Sequence, residues 1–409
     1  MPVGLYISVP FCRTKCSYCN FASGVFSKSA YENYVVRVIE DIARSRERAS
    51  ELGCELEEIV DSIYVGGGTP SILEGAQLQR IFGAVSKHFT VAPDAEITME
   101  CAPGTLVPSL VETIQRCGVN RVSLGVQSFV DQEAHSVGRL HERATVIAEV
   151  ARLRAAGIAG INIDLIAGLP HQTAESWTYS LAQTVSLGVP HASIYMLEVD
   201  EDSRLGRELM AGGTRYHAHF VPDEEATADF YLQACAGLNS SGIAQYEISN
   251  FARPGAESRH NLKYWTRQPY LGFGVDAHSM LHASDFRPDS QAVRFATSDS
   301  LDAYMEGRPP TVTQVSSRAA IEESLFLGLR LNRGVDLEAL RSEFGASAIG
   351  PFEPILTECE CGGLIEKDGA RFRLTDRGRL LSNEVFARFL SETAPEEVKR
   401  KRAGKSLQN

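Results

Sequence analysis

The sequence predicts an α/β fold on a parallel sheet, followed by a smaller α+β unit of winged-helix-like design. Three observations predict it. Short apolar or β-branched runs alternate with amphipathic stretches from Leu5 to about Ser249, Pro309 and Pro310 break that pattern, and a paired run with a central turn precedes a helix near the C-terminus.

The runs are LYISV, SIYVGGG, AEITMEC, VNRVSLGV, IAGINIDLI, ASIYMLEV and IAQYEI. Between the first two, Tyr31, Val35, Val38, Ile39 and Ile42 recur at helical spacing, and between the fourth and fifth, Val146, Ile147, Val150 and Leu153 precede a stop at Gly157. This gives βα units over residues 1–250. Residues 251–315 are rich in glycine, proline, histidine and aromatics without a clean period, and read as loops and short strands wrapped on the main domain. Beyond them, Ala320, Leu325, Leu327, Leu329 and Leu331 mark one helix and Leu337, Leu340 and Phe344 another. A two-stranded wing turning near Asp368 and Gly369, then a helix from Thr375, completes a small domain over 316–395, ahead of a basic tail over 396–409.

With 409 residues, 44% hydrophobic and 22% charged, the chain can bury a large core. No apolar run reaches the ~18–20 residues of a membrane span, and the start does not read as a signal peptide, so a cytoplasmic protein is expected. A net charge of -12 argues against nucleic acid as a partner. The exception is the tail around Lys399, Arg400, Lys401 and Arg402, read as a solvated terminus. Nine cysteines, three of them crowded together, point to metal binding in a reducing compartment.

Those three are Cys12, Cys16 and Cys19 in VPFCRTKCSYCNF, directly after the first strand, with Arg13 and Lys15 placed to favour the thiolates. A structural zinc site closes with four ligands, whereas a 4Fe-4S cluster on three thiolates keeps one iron open. Gly66, Gly67, Gly68 and Thr69 end the second strand, where backbone can approach a ligand closely. The C-x3-C-x2-C spacing, with Tyr18 before the last cysteine, resembles the radical-SAM superfamily motif. The resemblance implies a partial (β/α)6 TIM-like barrel whose open iron binds S-adenosylmethionine.

Over nearly the whole chain the likeness narrows to the coproporphyrinogen III oxidase-like branch, which holds the HemN oxidases and the HemW proteins. Tyr6, Tyr18, Gly67, Gly68, Thr69, Glu100, Gln127, Arg139 and Asp164 lie where that branch keeps its S-adenosylmethionine contacts. Glu100 and Asp164 can accept from hydroxyls or an ammonium, Arg139 can pair with a carboxylate, and Gln127 can do either. The oxidase carries a further cysteine two residues past the triplet, and Phe21 stands there instead. HNLKYW, with His260, Asn261, Tyr264 and Trp265, matches the HNxxYW motif of HemW proteins, a resemblance that implies a heme chaperone that binds and delivers heme. Heme is thus implied as a ligand, with histidine as a standard axial ligand and the two rings as flat contacts.

The resemblance further implies acceptor haemoproteins such as bacterioferritin or respiratory heme subunits, peripheral contact with a membrane, and an electron donor if S-adenosylmethionine is cleaved. The competing expectation is a radical-SAM enzyme, either the oxidase or a related methyltransferase. His278 is a second contact or a structural residue; His217 and His219 read as solvent-exposed, and Cys359 and Cys361 as packing of the small domain.

Overall fold

The computed structural model of the protein describes residues 1–201, 203–287 and 290–390. Its first strands are Val3–Val9 (β1), Ile59–Gly67 (β2), Thr90–Cys101 (β3), Arg121–Gln127 (β4), Gly160–Ala167 (β5) and His191–Met196 (β6). They pair in parallel in chain order. Parallel neighbours need a crossover, and the helices Lys28–Ala43, Gly75–His88, Pro108–Arg116, Arg143–Ala155 and Ala174–Ser186 supply one at each step. A sixth helix, Glu224–Ser240, follows β6. This is the strand order of a (β/α)6 partial barrel. Helix Lys28–Ala43 shows how the sequence specifies it: Ser27 caps its first turn, and Tyr31, Val35, Val38 and Ile42 are buried on the sheet.

Two sequence expectations are corrected. The run IAQYEI does not extend the parallel array; only Ala244–Gln245 (β7) is strand, antiparallel to Asn250–Ala252 (β8), which is itself antiparallel to β6. A chain that reverses within a few residues has no crossover and can pair only antiparallel. Residues 251–315, expected as loops and short strands wrapped outside, instead extend the sheet. Tyr270–Gly274 (β9) lies parallel to the free edge of β1, and His278–Arg287 (β10), Ser290–Ala296 (β11) and Thr311–Val315 (β12) continue antiparallel, completing a twelve-stranded sheet. The glycines that hid β9 are required there, since a Cβ at Gly274 would collide with the Ser8 carbonyl.

The C-terminal unit has its own core around Leu325, Leu340, Leu356 and Phe372. Its helices include Ser317–Arg330, Leu337–Phe344 and Glu353–Cys361. Its sheet runs Val335–Asp336 (β13), Arg371–Leu374 (β15), Ile365–Asp368 (β14), all antiparallel, with Gly369 at φ 60° in the wing turn and Thr375 capping the following helix. Cys359 is buried in this core, but Cys361, two residues on along the same helix, faces solvent, which corrects its expected packing role. The tail at 396–409 lies outside the described residues. Among the described residues no helix is long and apolar enough to cross a membrane.

Candidate functional site

At the C-terminal ends of β1 to β6 the chain builds a polar mouth, beginning with the cysteine loop. Phe11 is fully buried, stacked on Tyr31 at 4.1 Å, and anchors the loop's start. Cys12 N–H donates to the Gly24 carbonyl (2.8 Å) and Gly24 N–H to that of Pro10 (2.9 Å), closing the loop on itself. Its centre is pinned to a second loop, Ser17 N–H donating to the Val137 carbonyl (3.1 Å). Gly68 passes beneath so closely that a Cβ would sit 2.7 Å from the Phe11 carbonyl oxygen and 3.0 Å from the Cys12 sulfur. The glycine run therefore admits the cysteine loop as well as any ligand.

Two donors already face the sulfurs: Thr69 Oγ1 lies 3.7 Å from Cys12 Sγ and Arg139 Nη1 3.6 Å from Cys16 Sγ. Burial nevertheless pushes the Cys12 and Cys19 thiols above their usual range, with Lys15 easing Cys19 only slightly. Lys15 does favour the Cys19 thiolate, as expected, but desolvation outweighs it. Loading iron on these thiols therefore releases protons.

Beside the sulfurs, Glu100 accepts from Tyr64 Oη (2.9 Å) and from Gly67 N–H (3.1 Å). Its carboxyl is pushed up to about 8, first by burial and then by Asp164. Asp164 is held by Ser123 Oγ (2.9 Å) and Asn162 Nδ2 (2.7 Å), and burial raises it too. Arg139 also donates to the Gly125 carbonyl. Gln127 Oε1 and Arg139 Nε are buried without a hydrogen-bond partner. Buried polar atoms left open in this way invite a ligand.

These groups line one cavity of about 300 Å³, which takes in Cys12, Cys16, Cys19, Tyr18, Gly67, Gly68, Thr69, Glu100, Gln127, Arg139 and Asp164. Tyr6 is not on its wall; the ring stands deeper in the barrel, 6.1 Å from Tyr64 and 6.4 Å from His260. Three thiols on one loop, with donors to two of them and open polar atoms alongside, fit a 4Fe-4S cluster and a small zwitterion. Sequence reasoning missed Ser123 and Asn162, although Asn162 precedes Asp164 by two and so shares its face. It also missed the cavity's far wall, Glu198, Tyr231 and Ser249, and its cap by Ser382 and Asn383 of the C-terminal unit. No local pattern marks contacts between such distant segments.

HNLKYW lies elsewhere, on the helix Arg259–Trp265 against the N-terminal ends of the strands. His260 is 1% exposed; Nδ1 is 3.0 Å from Ser62 Oγ, Nε2 is 2.8 Å from Tyr264 Oη, and its N–H donates to Glu96 (3.0 Å). Burial, then Lys263, lowers its pKa to about 3. Neither ring nitrogen is left to bind iron without breaking one of these bonds. Trp265 is buried beneath the Arg330 guanidinium, 4.2 Å from the ring centre, and Arg330 pairs with buried Glu247 at 2.9 Å. Asn261 and Tyr264 are half-buried. The structure thus brings the residues expected to contact S-adenosylmethionine, Tyr6 apart, to one cavity, and keeps His260, Asn261, Tyr264 and Trp265 together on a separate helix.

Two family models match the chain, the radical SAM superfamily over residues 6–182 and the HemN C-terminal domain over 315–381. Heme chaperone HemW of Bacillus subtilis (strain 168) is 33% identical over 390 residues, covering 95% of this chain and 99% of that protein. The chain belongs to the HemW family. Heme chaperone HemW of Escherichia coli (strain K12) is also 33% identical, over 96% and 99% of the two chains. Among solved structures, Escherichia coli coproporphyrinogen III oxidase, HemN, shares the fold, with a TM-score of 0.78 at 23% identity over 95% of this chain and 90% of that one.

Proposed function

We propose that the protein is a heme chaperone that carries a 4Fe-4S cluster and S-adenosylmethionine at the barrel mouth and hands heme to acceptor haemoproteins, such as bacterioferritin or respiratory heme subunits. What carries this reading is the end-to-end likeness to relatives named heme chaperones, shared over both the barrel and the C-terminal unit. Phe21 supports it against the oxidase, because the position borders the cavity and a phenyl ring offers no polar sulfur there.

Cys12, Cys16 and Cys19 would hold the cluster, which when bound supplies an electron able to split a sulfur–carbon bond of S-adenosylmethionine. Around it the chain's own groups bind and orient. Arg139 Nε would suit the ligand's carboxylate and Gln127 Oε1 its ammonium, while Glu100 and Asp164, on the same cavity wall, would accept from ribose hydroxyls. On this reading the protein works in the cytoplasm, touching the membrane only to meet respiratory acceptors.

The enclosed far wall, with Glu198 and Tyr231 beyond the S-adenosylmethionine set, favours a second reading: a radical-SAM enzyme with its substrate there. One experiment separates the two. Cluster-reconstituted protein is loaded with heme and mixed with an apo-acceptor while the acceptor's absorption is followed, and a parallel sample receives coproporphyrinogen III, S-adenosylmethionine and a reductant. Transfer without turnover is expected. Steady porphyrinogen oxidation above a cluster-free control would overturn the chaperone reading.

A further inference from the structure

A heme chaperone must hold its cargo where an acceptor can reach it, and the capped cavity is a poor place. Its volume of about 300 Å³ is at the small end of what encloses one ligand, roughly 300–1,000 Å³, and on the proposed reading S-adenosylmethionine with its cluster would fill it. In HNLKYW both ring nitrogens of His260 are already engaged.

The outer rim of the same mouth does. Helix Arg204–Ala211 is fastened to the cysteine loop, with Leu205 N–H donating to the Ser17 carbonyl (2.9 Å) and Arg204 Nη1 to that of Lys15 (3.3 Å). Its outer side exposes Leu209 (49%) and Met210 (63%), and the turn packed against it exposes Phe220 (47%). Three histidines surround Phe220: the His171 and His219 rings lie 4.0 and 4.1 Å from it and that of His217 6.3 Å. His171 Nε2 and His217 Nδ1 face each other at 3.4 Å. Both residues have left-handed backbones, φ 69° and 60°, a conformation costly for a side-chain-bearing residue and concentrated at functional sites. Next to His217, Tyr216 borders a surface cleft of about 410 Å³ that also holds Arg204, Arg207 and Glu208. Glu208 is occupied in accepting from the Tyr216 and Ala218 N–H groups.

Resting on the chaperone reading, we propose that heme docks on this rim with His217 Nε2 as an axial ligand of its iron. Burial and the neighbouring His217 and His219 keep His171 neutral, so its Nε2 can accept a hydrogen bond from His217 Nδ1–H, which leaves the His217 Nε2 lone pair free for the iron. A hydrogen bond to the second ring nitrogen is how ligating histidines are generally oriented. Leu209, Met210 and Phe220 supply apolar contact for the ring, and Arg204 and Arg207 supply cations for the propionates.

The test titrates full-length, cluster-reconstituted protein with hemin and with metal-free protoporphyrin IX, and records the Soret band and affinity. His217→Ala should shift the Soret band and weaken hemin binding more than His171→Ala, for which loss of the orienting bond predicts about tenfold. Added imidazole should restore the band in His217→Ala, and protoporphyrin binding should hardly change. If wild type binds hemin and His217→Ala matches it in band and affinity, the site is wrong while the chaperone reading stands. An equal loss with metal-free protoporphyrin would overturn iron ligation. Wild type that fails to bind hemin would overturn the chaperone reading and this site with it.

Discussion

The two ends of the barrel carry the chain's two most conspicuous motifs, and they treat polar atoms in opposite ways. At the C-terminal mouth, Gln127 Oε1 and Arg139 Nε are buried with no partner, and Glu100 and Asp164 crowd their charges together. At the N-terminal floor, His260 has both ring nitrogens engaged, and Lys263 is held by Asp61 (2.8 Å) and the Pro2 carbonyl (2.9 Å). Trp265 Nε1 and Arg330 Nη1, stacked beside it, are also buried there without a hydrogen-bond partner. A mouth whose open polar atoms line a cavity is built for a ligand, whereas a floor whose histidine and lysine are both engaged is built to hold a helix in place. Trp265 and Arg330 extend that hold to the C-terminal unit, since Arg330 ends its first helix and also reaches Ser249 on the cavity wall.

The largest expected effect is at the mouth. Cys16→Ala should abolish reconstitution of about four irons per chain, read by iron analysis and the visible absorption of the cluster. A fully loaded Cys16→Ala protein would remove the contrast altogether. Next comes the link between the two units: Arg330→Met leaves Glu247 as a lone buried charge, which should cost about 3–5 kcal/mol in chemical denaturation. An unchanged midpoint would mean that the ion pair does not fasten the units together.

Smaller again is the floor itself. His260→Ala strands the Ser62 and Tyr264 hydroxyls and should cost about 1–3 kcal/mol, while iron content and the hemin spectrum stay as in wild type. An altered spectrum in a folded, cluster-loaded variant would move His260 from the scaffold to the ligand set. Its lowered pKa adds a pH signature. The unfolded imidazole takes a proton near 6.5 and the native one near 3, so stability present above 6.5 should drain as pH falls through that window. His260→Gln should remove that part of the acid sensitivity.

The finest test concerns Glu100, whose carboxyl ionises near 8 in the fold against 4.5 outside it. Between those values the native state holds the extra proton, so stability should fall as pH rises through the window and level off above it. Hydroxyl donors from a ligand favour the ionised form, so S-adenosylmethionine affinity should rise toward pH 8, by up to about tenfold per pH unit for one proton. Calorimetry in buffers of different ionisation heat would count that proton. Glu100→Gln should flatten both profiles, and a steep profile persisting in it would assign the proton elsewhere.

Much of this was determined by sequence alone. Apolar runs of strand length, separated by helical spacing, specify β1 to β6 because local periodicity decides which faces are buried, and three cysteines within eight positions share a loop whatever the rest of the chain does. The mouth residues were legible for the same reason: Glu100, Gln127 and Asp164 sit at or near strand ends, and parallel strands bring their C-terminal ends together. Tertiary structure alone decided what depends on partners remote in sequence. Ser62, far away in the chain, engages His260 Nδ1, and the edge of β1 drew Tyr270–Gly274 into the sheet despite its glycines. Asn383 reached a cavity whose first cysteine lies at position 12. A histidine's availability is set by what hydrogen-bonds its two nitrogens: Tyr264, four residues on along the same helix, was within reach of local spacing, but Ser62 comes from a segment whose meeting with HNLKYW no local pattern encodes.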